Sequence, residues 1–116
     1  MQKEFAFLKN SPKISVTVTR DSVCAADDCN APHEKTVRML SFLDPIAFIR
    51  ELLVSYSLPG ISGGEATWTC HFNGKKIAVI AQQWASPRSL ISEMTFLEKN
   101  KMHFEYHAQE RPEDYL

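Results

Sequence analysis

The sequence predicts an α+β domain in which one mainly antiparallel sheet of about five to six strands carries a single helix on one face. Three observations point there. Residues 13–19 alternate apolar and hydroxyl side chains, Asp44-Pro45 opens an amphipathic stretch, and Asn73-Gly74 sits between two alternating runs. The predicted element order is β-β-α-β-β-β-β.

Lys13-Ile14-Ser15-Val16-Thr17-Val18-Thr19 has the period of two that marks a half-buried strand. Asp21 to Lys35 breaks that pattern with Asp27-Asp28, Asn30 and Pro32, and reads as a long loop. Thr36 to Leu43 reads as a second strand, although a short helix also fits. At Asp44-Pro45 an aspartate is placed to cap free N–H groups, and proline at the first helical position loses nothing by lacking its own. Ile46, Ile49, Leu52, Leu53 and Tyr56 then fall on one broad face, with Arg50, Glu51, Ser55 and Ser57 opposite. Pro59-Gly60 is the expected stop.

Asn73-Gly74 tolerates the positive φ angles of a two-residue hairpin turn. A regular register from that turn pairs Phe72 with Lys75, Cys70 with Ile77, Trp68 with Val79 and Ala66 with Ala81 on the core face. His71 then meets Lys76, Thr69 meets Ala78, Thr67 meets Ile80 and Glu65 meets Gln82 on the other. A second hairpin is expected from Glu93–Leu97 through residues 98–101 to Met102–His107. The polar segment 109–116, with Pro112 and its acids, is expected to be a loose acidic tail.

The chain has 116 residues, 44% hydrophobic and 23% charged, which suits one ordinary globular domain spanning 1–116. Folding at this size buries roughly 65% of the extended chain's surface, enough for a core without staples. A formal charge of −1 disfavours a dominant polyanion-binding surface, so nucleic acid is an unlikely partner by composition. The first residues lack the apolar run of a signal peptide, and no apolar stretch is long enough for a membrane span. With three cysteines, an odd count, the expectation is reduced thiols and a cytoplasmic location.

Four sets of residues raise chemistry. Gly60-Ile61-Ser62-Gly63-Gly64 has the letters of a nucleophile elbow, but that motif needs a strand before the serine and a helix after it, the reverse of the order here. Cys24, Cys29 and His33 have the residue types of a zinc loop without a matching second pair. His103, Glu105 and His107 alternate on one side of the last strand and are the weak candidates for a metal face or an acid–base pair; Met94 and Phe96 are expected beside them. Lys75-Lys76 and Lys99 with Lys101 put positive charge at two expected hairpin tips.

Trp84 follows a strand and precedes Pro87-Arg88, which suggests an exposed tryptophan beside an arginine, a common interface anchor. No residue set completes a catalytic or metal site, so neither a cofactor nor an enzymatic activity is expected. The function expected is a small protein-binding module. Its concrete form is an immunity or antitoxin-type inhibitor of a bacterial toxin, an analogy of format alone. Trp84 and Arg88 are the expected anchors, and Asp27 and Asp28 the acids that steer a basic partner. The alternatives are a small metal-dependent or ligand-binding enzyme using His103, Glu105 and His107, or an accessory subunit.

Overall fold

The computed structural model describes residues 13–41, 44–61, 63–108 and 110–116. Strands β1 (Lys13–Arg20) and β2 (Lys35–Leu40) precede helix α1 (Pro45–Ser55), and β3 (Thr67–Phe72), β4 (Lys75–Ala81), β5 (Arg88–Ser89) and β6 (Asn100–Tyr106) follow it. They form one six-stranded sheet in the order β2-β1-β6-β3-β4-β5. The β1–β6 pair is parallel and every other pair is antiparallel. The α+β class, with six strands and one helix, is the one the sequence predicts, but the fifth strand is Arg88–Ser89 and not 93–97.

The helix begins where its cap predicts, with the Asp44 carboxylate accepting from Ala47 N–H at 3.1 Å. It ends at Ser55, ahead of Pro59-Gly60. Its buried stripe is Pro45, Phe48, Ile49 and Leu52, continued by Tyr56 beyond the end. Phe48 takes the centre, and Ile46 and Leu53 are half-buried flanks rather than the core positions the periodicity suggests. Phe48 meets Phe72 edge-on at 5.3 Å and Tyr56 stacks on Phe104 at 6.0 Å, so the helix closes over the middle of the sheet.

The Asn73-Gly74 turn forms with both residues at positive φ (52° and 84°). The predicted register fails three residues away. His71 faces Lys76, but Cys70 then faces Ala78, Thr69 faces Val79 and Trp68 faces Ile80. A bulge has absorbed Ile77 as an extra residue, turning both Ile77 and Ala78 into the helix-side core. Beyond it the parity of β4 reverses. Val79 and Ala81 consequently share the far face with Thr69 and Thr67, and they are buried there rather than against the helix.

What buries them is the C-terminal segment, which is packed rather than loose. Residues Pro112–Tyr115 form a short 3-10 turn against β3 and β4, with Pro112 buried. Thr67 Oγ1 donates to Glu110 O at 2.6 Å, and Lys76 Nζ donates to Tyr115 O at 3.0 Å. The Tyr115 ring lies on His107 with centroids 4.0 Å apart. The bulge and the docked tail fit one another: apolar side chains turned to the far face need a cover.

The second predicted hairpin does not form. Strand β6 runs between β1 and β3, so both its edges are already paired and residues 93–97 have no ladder to join. Met94 and Phe96 instead pack on the helix side, with Phe96 5.5 Å from Phe48, and not beside the histidines of β6. The buried Asn100 amide stands in for the missing strand by accepting from Leu97 N–H at 2.8 Å and donating to Leu97 O at 3.0 Å. Asn73 ties the hairpin tip to the same place by exchanging bonds with the Lys101 backbone, each at 2.8 Å. Among the described residues no helix is long and apolar enough to cross a membrane.

Candidate functional site

The far face of the sheet collects the chemistry. Period-two alternation sends Met102, Phe104 and Tyr106 of β6 toward the helix, and His103 and Glu105 away from it, followed by His107. On β3 the same rule sends Thr67, Thr69 and His71 outward, and on β1 it sends Ser15, Thr17 and Thr19. His71 faces His103 across the β3–β6 ladder, and Thr19 faces His103 across β1–β6.

Two hydrogen-bonded sets result. In the first, the Thr69 hydroxyl lies 2.9 Å from His71 Nε2, 2.9 Å from His107 Nε2 and 3.2 Å from Glu105 Oε1. Hydrogen counting assigns the protons. A contact between a hydroxyl and an ionised carboxylate needs the hydroxyl's proton, so Thr69 donates to Glu105 and both imidazoles donate to Thr69. The hydroxyl thereby uses its proton and both lone pairs. Glu105 Oε1 also lies 3.2 Å from His71 Nε2 and 3.4 Å from His107 Nε2, one carboxylate serving two rings. Tyr115, stacked on His107, donates its hydroxyl to the Glu110 carboxylate, which holds the phenol up at about 12.

In the second set, His103 Nε2 lies 2.9 Å from Asp21 Oδ1, and Thr19 Oγ1 lies 2.7 Å from His103 Nδ1. Asp21 is fixed through its other oxygen, which accepts from Tyr106 N–H at 3.0 Å, and through its own N–H, bonded to Phe104 O.

The expected grouping of His103, Glu105 and His107 is therefore split. His103 turns to Asp21 and Thr19, while Glu105 and His107 join His71 and Thr69. Among the described residues no three His, Cys, Asp or Glu side chains converge as a metal site. Thr19, Asp21, Thr69 and His71 are the members that sequence reasoning missed. The parity of Thr69 and His71 was readable from the hairpin, but their adjacency to β6 depends on strand order.

The other expected residues lie elsewhere. In the loop after β1, Asp27 is clamped by the Arg20 guanidinium at 2.6 and 3.1 Å and also accepts from Val23 N–H. The Arg20 hydrogen bonds hold its carboxyl down at about 2. Its charge is spent on that fork, which anchors the 3-10 turn Ala25–Asn30, whereas Asp28 is exposed. Cys24 and Cys29 are exposed free thiols, and His33 turns to Ser22 at 3.0 Å while its carbonyl accepts from the Tyr56 hydroxyl. Ser62 lies outside the described residues; Gly63 and Gly64, at φ 99° and 70°, make the turn from helix to strand that only glycine adopts readily.

Trp84 and Arg88 do come together. The tryptophan is half-buried in the β4–β5 connection, and the exposed Arg88 guanidinium sits 4.1 Å over its ring. No known protein family, curated protein or solved structure matches the chain.

Proposed function

We propose that this chain is a protein-binding module, in its most concrete form an immunity or antitoxin-type inhibitor that binds and neutralises a bacterial toxin in the cytoplasm. The observation that carries the reading is the Trp84–Arg88 pair, a large amphipathic ring held in place by a cation at 4.1 Å and left partly exposed. Such a pair presents contact area that is already ordered, which lowers the entropic cost of association. Tryptophan and arginine are also the residue types that dominate binding energy at protein interfaces. Asp28 is the acid left free to steer encounter, since Asp27 is taken by Arg20.

Co-expression with the product of the adjacent gene, followed by binding kinetics on purified proteins, tests the reading. Trp84→Ala is expected to cost about 2 kcal/mol of affinity, roughly 30-fold, through faster dissociation with the melting curve little changed. Asp28→Asn is expected to slow association only, by less as salt rises. Dissociation unchanged in Trp84→Ala removes the anchor. Absence of binding to, and of growth rescue from, that gene product removes the inhibitor form.

A further inference from the structure

We propose that Thr19 is an activated hydroxyl, a site that captures acyl or phosphonyl groups from activated esters and related electrophiles. The inference is independent of the Trp84–Arg88 reading and concerns a stoichiometric modification.

Its basis is the order of atoms in the second hydrogen-bonded set. Asp21 is a carboxylate fixed at both oxygens, so the His103 nitrogen facing it at 2.9 Å must carry a proton. In the neutral ring the other nitrogen then has a free lone pair, and that nitrogen is the one 2.7 Å from Thr19 Oγ1. Hydroxyl, imidazole and carboxylate are thus in the sequence that lets a base take the hydroxyl proton while an acid orients the base. The backbone supplies the rigidity, because Asp21 N–H is tied to Phe104 O and Tyr106 N–H to Asp21, which fixes the carboxylate along the stretch of β6 that follows His103. Thr19 itself is half-buried, and the His103 and Asp21 side chains beside it are 39% and 41% exposed. By contrast, the Thr69 hydroxyl is buried and its oxygen already accepts from two rings, so it is no nucleophile.

With a fluorophosphonate the step is balanced as follows. Thr19 Oγ1 forms a bond to phosphorus and fluoride leaves. The hydroxyl proton passes to His103 Nδ1, giving an imidazolium whose Nε2–H remains on Asp21, and the imidazolium returns the proton to solvent. An activated acyl ester reacts in the same way at its carbonyl carbon, with the alkoxide or phenolate as leaving group.

Strand β1 contains its own controls. Ser15 and Thr17 share the face of Thr19 but have no imidazole contact among the described hydrogen bonds. The folded chain is treated with a fluorophosphonate near pH 7.5, and labelling is followed at each hydroxyl by peptide mass mapping. Thr19 is expected to react at least about 100-fold faster than Thr17 or Ser15, the smaller end of the range for general-base assistance. His103→Gln is expected to remove that advantage, Asp21→Asn to reduce it, and Thr19→Ser to keep it. Equal labelling of Ser15, Thr17 and Thr19 in the unmodified chain overturns the proposal with no variant required. So does a Thr19 rate unchanged in a folded His103→Gln protein.

Discussion

The two faces of β6 are made from the same seven residues and do opposite things. Met102 and Phe104 are completely buried against the helix side, while His103 and Glu105 between them reach the far face and pair with carboxylate, hydroxyl and imidazole. The helix-side face is held by area removed from water, which is tolerant of detail and large in sum. The far face is held by hydrogen bonds whose net worth is small but whose geometry is fixed. Stability and chemistry are thereby separable by parity along one strand.

The comparison breaks most severely on the helix side. Trp68 is 2% exposed and its ring centroid lies 4.9 Å from that of Tyr106. Trp68→Ala is expected to cost about 3–5 kcal/mol in a urea titration. A loss below about 1 kcal/mol would place Trp68 outside the core.

On the far face the largest effect belongs to the Thr69 hub. Thr69→Val keeps the β-branched shape but leaves two imidazole N–H groups and Glu105 without their shared partner, and is expected to cost about 1–2 kcal/mol. Thr17→Val, on the same face outside either set, is expected to stay within about 0.5 kcal/mol. Equal costs at the two positions would mean that the hub contributes nothing.

A smaller effect separates this face from the loop at the end of β1. The Asp27 carboxyl is held at about 2, below its ordinary range, chiefly by the Arg20 hydrogen bonds. A depressed carboxylate contributes stability that is complete above the unfolded-state value near 4 and is lost as pH falls toward about 2. Asp27→Asn is therefore expected to destabilise the chain more at pH 5 than at pH 2.5. A gap independent of pH would dissociate Asp27 from acid unfolding.

The least disruptive measurement is thiol titration. Cys70 is fully buried on the helix side and burial raises its pKa, whereas Cys24 and Cys29 are exposed. Two thiols are expected to react rapidly with a disulfide reagent in the folded chain, and the third only on unfolding. Three fast thiols would show that the helix-side core opens.

Legibility followed the range of the interaction. The Asp44 cap, the Asn73-Gly74 turn and the alternation of β1 depend on residues a few positions apart, and each was readable. The β4 register was not, because a bulge at Ile77 is chosen by what the core can accept from both sides. Nor was the docked tail, since it answers to Val79 and Ala81, whose direction that bulge sets. In the site, the sequence groups His103 with Glu105 and His107, whereas in the fold it bonds Asp21 and Thr19. Its hydrogen bonds go to residues 82 and 84 positions away in sequence.

The sequence by itself determined the α+β class, the start of the helix, the hairpin turn, and the residues that share a face within β1, β3 and β6. These follow from backbone sterics, capping and the periods of 2 and 3.6, all properties of neighbouring residues. Tertiary structure decided that β6 enters between β1 and β3. That one placement left residues 93–97 without an edge to pair with, set His71 opposite His103, and brought Thr19 and Asp21 to the imidazole. Strand order is a competition among distant segments for the same ladder edges, won by the total burial achieved, and no local period encodes it.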